Sequence, residues 1–330
     1  MTIVEQPLVA LDLPPAPPVV RAVPSSPTRS KGPAVGLLVV GVLLVVAPVA
    51  AGLFSKAAAG KQMIDEFAPH MTAGTLARYG DDLRYLDRAA AAVDSVYAAG
   101  HVATGAFPIL DTYRTQSAAI NRRAADLLDR VGSTAPDYRR VAAVGGFERI
   151  PFLLEAFGIL ALYAGCVLLF GRRGRGAVVV LVLTAALALA VYPFLSGLER
   201  SAAPGHRMLG ALAPVMTPAS VAQLQEDFVV LVEADGALDT TFRPEVPPGP
   251  AAADIGALVG HWPRISSDLA SLVGAVNDNI GNYDALRGLD RLSEPLGVPG
   301  LVAFPWLLVA TGGVGAALAV AARPKRRGDT

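Results

Sequence analysis

A single cysteine, Cys166, stands among 330 residues, so no intramolecular disulfide can form and no cysteine-based metal site is expected. Charge is also scarce. Asp, Glu, Lys and Arg make up 17% of the chain, against about 25% in an ordinary soluble domain. The 28 basic and 28 acidic residues cancel, so the net charge points to no partner until it is divided by segment. No stretch resembles a phosphate-binding loop, a nucleophile elbow or a kinase signature. The four histidines, His70, His101, His206 and His261, include no pair at the i, i+4 spacing that a helical metal site uses. They are expected to be surface or capping residues. Neither a metal nor a cofactor is expected.

Hydrophobic residues are plentiful instead, at 53% of the chain. Four runs reach the roughly 20 residues that cross a bilayer: 34–54, 151–170, 176–196 and 300–322. Unpaired backbone groups are costly in lipid, so each run should be an α-helix. The lipid bilayer is therefore the first expected partner. The fold class is an all-α integral membrane protein with four transmembrane helices.

Basic residues flank these runs unevenly. Arg21, Arg29 and Lys31 precede the first span. Arg172, Arg173 and Arg175 crowd the turn at 171–175, and Arg323, Lys325, Arg326 and Arg327 follow the last span. With four spans all three clusters fall on one side, and the positive-inside rule makes that side cytoplasmic. Both termini are then cytoplasmic: a proline-rich tail at 1–33, expected to be disordered, and a basic tail at 323–330. The long connections, 55–150 and 197–299, form two extracytoplasmic helical domains. Arginine far outnumbers lysine, and Ala, Gly and Val abound, which suggests a GC-rich bacterial genome.

The chain also aligns with itself. At a shift of 145 residues, 48–97 falls on 193–242 with about a third of positions identical, among them Pro48 with Pro193, Gly52 with Gly197, Met63 with Met208 and Asp82 with Asp227. The unit of span, outer segment and span would occur twice, as two parallel tandem repeats related by an axis along the membrane normal. The first span then matches the third, which cannot be a cleaved signal. It is read as a retained anchor.

Each outer segment reads as helical. No strong breaker follows the first span before Pro69, so one uninterrupted helix is expected over 34–67. FAPHMT (67–72) and LAPVMT (212–217) then form an elbow. Pro69 and Pro214 stop one helix, Thr72 and Thr217 cap the next, and Met71 and Met216 pack inside the bend. Pro218 suits the first helical position. Apolar stripes follow at Leu76, Tyr79, Leu83 and Leu86, and at Val221, Leu224, Phe228 and Leu231. Longer ones run Tyr113, Ser117, Ile120, Ala124, Leu127, Val131 and Ile265, Leu269, Leu272, Val276, Asn279, Tyr283. The RPEVPPGP stretch (243–250) reads as a loop within the second segment.

Three carboxylates are interaction candidates. Asp82 and Asp227 belong to acidic pairs, Asp81-Asp82 and Glu226-Asp227, which recur at the 145 shift. A solvated helix face with Asp82 and Asp227 in interhelical contact is the expected arrangement. Glu155 is the one carboxylate inside a span. Cys166 is read as packing, and Ala161, Gly165, Gly312, Gly313 and Gly315 as sites of close helix contact.

These features lead to a non-enzymatic multi-pass protein of the bacterial plasma membrane. Its outer helices would serve as an accessory or scaffold that binds a partner or envelope component. Other envelope membrane proteins, or copies of the same chain, are the expected partners, and nucleic acid is not. The alternatives are a pseudo-symmetric transporter or channel component, or a sensor without its own output domain.

Overall fold

A computed structural model describes residues 31–171, 174–291 and 297–323. The proline-rich tail up to residue 30, Arg172 and Arg173 of the short turn, and the basic residues Lys325, Arg326 and Arg327 lie outside the described residues. Every regular element within them is helical. Four helices are long and apolar enough to cross a membrane: α1 (Gly32–Ala50), α5 (Ile150–Phe170), α6 (Arg175–Leu195) and α11 (Gly300–Ala321). Their outward faces present large apolar side chains such as Leu43, Phe152, Leu181, Leu187 and Trp306. Water would penalise such faces and lipid would not.

The spans pair as α1 with α5 and α6 with α11. Glycine sets their separation. A Cβ on Gly41 would come within 2.8 Å of the Gly158 carbonyl oxygen, one on Gly165 within 2.9 Å of Ala34 O, and one on Gly312 within 2.5 Å of Ala186 O. Any larger residue would push the backbones apart, so the pairing is written in small residues. Gly313 has open space around it instead. Where the pairs meet, Leu37, Ala161, Val182 and Ala319 are fully buried and fill the centre. Cys166, expected in packing, is exposed on the outside of the bundle.

The continuous helix expected over 34–67 does not form. α1 ends at Ala50, and α2 (Leu53–Phe67) starts afresh after Gly52, whose φ of 61° is left-handed. The same happens 145 residues later, where Gly197 at φ 76° separates α6 from α7 (Leu198–Leu212). In each case a proline inside the last turn of the span, Pro48 or Pro193, lacks the N–H that would reinforce it. A glycine then takes the conformation that any L side chain would pay for. α2 and α7 are therefore separate helices and not continuations of α1 and α6.

At the elbow a short 3₁₀ turn, Ala68–His70, carries Pro69, and Met71 is buried behind it. The Thr72 hydroxyl accepts the Thr75 N–H at 3.1 Å and opens α3 (Ala73–Ala98). After Pro214 and buried Met216, Thr217 accepts the Ser220 N–H at 3.1 Å, and Pro218 is the first residue of α8 (Pro218–Ala237). Each such cap contributes about 1 kcal/mol. α4 (Pro108–Ala142) is one long helix. The stretch 145 residues later instead holds two helices, α9 (Pro250–Asp278) and α10 (Ile280–Asp290), separated at Asn279. The RPEVPPGP stretch holds a 3₁₀ turn, Arg243–Glu245, and reaches α9 at Pro250.

Outside the spans, helices pack across the two halves of the chain. α3 lies on α9, α4 on both α7 and α8, and α2 on α10. The stripe residues Tyr113, Ile120, Leu127 and Val131 on α4, and Ile265, Leu272 and Val276 on α9, are buried in these contacts. Full burial of such a side chain contributes about 1.5–3 kcal/mol, so this bundle rests on apolar packing. Its distal core centres on Leu86, Tyr113, Phe242 and Ile255, and its proximal core on Met63, Phe67, Met208 and Leu212.

Candidate functional site

Asp82 in the middle of α3 and Asp227 in the middle of α8 are buried, and each meets an arginine of the other half. Asp227 receives a two-pronged pair from Arg123 of α4, with Nε 2.7 Å from Oδ2 and Nη2 2.6 Å from Oδ1. Gln223 Nε2 donates to Oδ1 at 3.2 Å. Planar guanidinium and carboxylate match atom for atom, which makes this the stronger kind of ion pair.

Asp82 is held less well. Arg264 Nη2 of α9 lies 2.7 Å from Asp82 Oδ1, yet neither oxygen gains an aligned hydrogen bond. Its neighbour Asp268 accepts from Arg78 Nε at 2.7 Å and lies 3.8 Å from Arg264 Nη1. Burial pushes the Asp82 carboxyl above its ordinary pKa; the Arg264 charge opposes this, and Asp268 reinforces it. Of the acidic pairs read from sequence, Asp81 and Glu226 are exposed and Asp82 and Asp227 turn inward. About 100° separates adjacent residues on a helix, so only one of each pair can face the neighbouring helix.

Glu155 sits in the second turn of α5, half-buried, and makes no hydrogen bond or ion pair among the described residues. Of the four histidines, His70 departs from the expected surface position, whereas His101 and His261 are exposed. His70 is 5% exposed and its Nδ1 lies 2.6 Å from the Tyr79 hydroxyl. Burial lowers the His70 pKa and raises that of Tyr79 to about 12, so both are neutral near pH 7. His206 Nδ1 lies 2.8 Å from Asp290 Oδ2, and His261 stacks on Tyr85 with ring centroids 4.3 Å apart. His101 remains exposed. Among the described residues no three His, Cys, Asp or Glu side chains converge as a metal site would need.

An apolar cavity of about 80 Å³ lies between α2 and α7, closed by the end of α4, by α10 and by the start of α11. Gly60 and Gly205 line it from facing helices, together with Met63 and Met208. Its two polar groups are already satisfied: the Tyr138 hydroxyl donates to Ile64 O at 2.7 Å, and Ser201 Oγ to Leu198 O at 3.0 Å. Sequence reasoning did not find it. The available signal was a glycine on the apolar face of α2 and of α7, where propensity alone would favour alanine.

With this geometry in view, comparison with protein-family models, with curated proteins and with solved structures yields no match.

Proposed function

We propose that this chain is a non-enzymatic, multi-pass protein of the bacterial plasma membrane, with both termini cytoplasmic and the helical bundle outside. In this reading it is a tandem duplication whose two outer arms interlock into one scaffold for an envelope partner. The observation that carries the proposal is the interlock itself. Arg123 of the first half grips Asp227 of the second, and Arg264 of the second reaches Asp82 of the first. A bundle braced in this way presents a fixed surface, which is what a scaffold requires.

Correspondences at the 145 shift favour the duplication: the left-handed glycines 52 and 197, the caps Thr72 and Thr217, and 15-residue helices at α2 and α7. Outside the spans, large apolar side chains are exposed at Ile109, Val229, Val232 and Val298. The first three sit on α4 and α8, which pack together, and offer a partner an apolar foothold. The transporter reading has less behind it, because the centre where the spans meet is filled by Leu37, Ala161, Val182 and Ala319.

Crosslinking in native membranes followed by mass spectrometry tests the scaffold role. Recurrent crosslinks from the α4–α8 face to one other protein, weakened by Val229→Glu, are expected. A chain that stays free of partners in native membranes would remove the proposal. Orientation is read separately by labelling a cysteine introduced at Thr104 with a membrane-impermeant maleimide in intact cells, where strong labelling is expected.

A further inference from the structure

The apolar cavity between α2 and α7 is buried at one end and only half-buried at the other. Its deep lining, Met63, Phe67, Met208 and Leu212, is at most 5% exposed. Apart from Ile64, the half-buried part of the lining gathers at the other end, at Val141, Val144, Phe147, Leu301 and Phe304. Those residues stand where α5 and α11 begin, at the border between the apolar spans and the bundle. The mouth therefore faces the height at which lipid chains begin, and the blind end points away from the membrane. No polar group inside the cavity is free to recognise a head group.

We infer that this cavity takes the end of a lipid acyl chain, which enters between Phe147 and Phe304 from the leaflet nearest the bundle. Chemistry fixes the class: the walls offer dispersion contacts with methylene groups and nothing to a polar ligand. Size fixes the portion, since about 80 Å³ holds the terminus of a chain and leaves the rest of the lipid in the bilayer. The glycines supply the room. A Cβ on Gly205 would meet Val141 at 3.7 Å and Leu301 at 3.8 Å, ordinary contacts, so a side chain built there extends into the cavity. At Gly60 a Cβ would already press on Leu286 and Phe147 at 3.2 Å. Filling is therefore feasible from α7. The inference rests on the membrane reading and is independent of the scaffold role.

The test reconstitutes the full chain in vesicles of phosphatidylcholine and phosphatidylglycerol. They carry a trace of phosphatidylcholine with a diazirine at the end of one palmitoyl chain. After photolysis, labelled peptides are mapped by mass spectrometry. Label is expected on Met63, Met208 or Phe67 as well as on span faces such as Leu43 and Leu181. In Gly205→Leu the deep label should fall at least about tenfold, while the span label is unchanged. Ala202→Leu, three residues earlier on the same helix, should do the same if Gly205→Leu does not fold. Label confined to the spans of the wild-type protein overturns the inference and leaves the membrane reading intact. Deep label that persists in the folded filling variants also overturns it. A parallel sample with free diazirine palmitate separates the sources, because deep labelling by the free acid alone removes the membrane lipid as the occupant.

Discussion

Tyr138 and Tyr283 make the same hydrogen bond in the two halves of the chain. The Tyr138 hydroxyl donates to the carbonyl of Ile64 on α2 at 2.7 Å, and the Tyr283 hydroxyl donates to that of Leu209 on α7 at 2.9 Å. Donors and acceptors are both separated by 145 residues. Each bond ties a late helix of one half back to the first outer helix of that half. Tyr138→Phe and Tyr283→Phe should each lower stability by about 1 kcal/mol. Thermal unfolding in mild detergent, followed by tryptophan fluorescence, checks this; a large loss at one site and none at the other would break the correspondence.

Asp227 and Asp82 should respond differently to the same substitution. Asp227→Asn removes one prong of a well-aligned pair and leaves Arg123 partly unmet, at a cost of about 1–3 kcal/mol. Asp82→Asn removes a charge that burial already disfavours, and Arg264 still has Asp268 nearby. Its cost at neutral pH should stay under about 1 kcal/mol. Because the folded-state pKa of Asp82 is raised, its contribution is fully favourable below the ordinary carboxylate range and is lost as pH rises through the folded value. Equal losses for the two variants at pH 7 would contradict this account.

Asp235 gives a pH prediction with a window. Burial first, and the Asp239 charge second, push its carboxyl up to about 6 from the model-peptide value of 3.8. The folded chain thus holds this proton more tightly than the unfolded chain, and stability from this group declines as pH rises from about 4 through about 6. Asp235→Asn should match the wild type near pH 4 and exceed it at pH 7 by about 1 kcal/mol, after allowance for partial solvent screening. Unfolding midpoints at the two pH values decide the matter, and a gap independent of pH would count against it.

The glycine breaks between the spans and the helices that follow them can be tested with little steric interference: a Cβ on Gly52 would meet Ser55 Oγ at 3.4 Å, and one on Gly197 nothing within 4 Å. Gly52→Ala and Gly197→Ala force a Cβ into left-handed backbone and should each cost about 1–2 kcal/mol. Gly74→Ala, in the first turn of α3 with open space around it, should instead be neutral or stabilise by about 0.5–1 kcal/mol. Circular dichroism melts of the three variants are the measurement. Destabilisation at Gly74 as large as at Gly52 would show that lost glycine flexibility, and not φ, is what matters.

The spans and the stripes were legible in the sequence because burial in lipid and burial in a helical bundle both leave a strong periodic or continuous apolar signal. Tyr113, Ile120, Leu127 and Val131 fall on the buried face of α4 as their spacing implies. The break at Gly52 was not legible, since a glycine in an Ala-rich run is compatible with helix until the backbone angle is seen. His70 was misjudged for a related reason. Its burial depends on Tyr79, two turns along on the next helix, and nothing in the local sequence announces that hydrogen bond. Nor could spacing alone reveal that α3 would choose α9 and that α4 would choose α7 and α8. Partner choice is a property of the assembled bundle. Similar apolar stripes at the 145 shift offer each helix two nearly equivalent partners.

That exchange of partners also sets a timetable. Arg78 and its acceptor Asp268 are 190 positions apart, and chains grow at about 5–20 residues per second. The side of α3 that meets α9 is therefore made roughly 10–40 s before α9, although α4 packs on α3 sooner. Through that interval the first arm lacks α9, so the part of its stripe that α4 does not cover stays open to any other helix nearby. Whatever shields it then, a chaperone or the membrane surface itself, acts on a form of the protein that the finished bundle no longer displays.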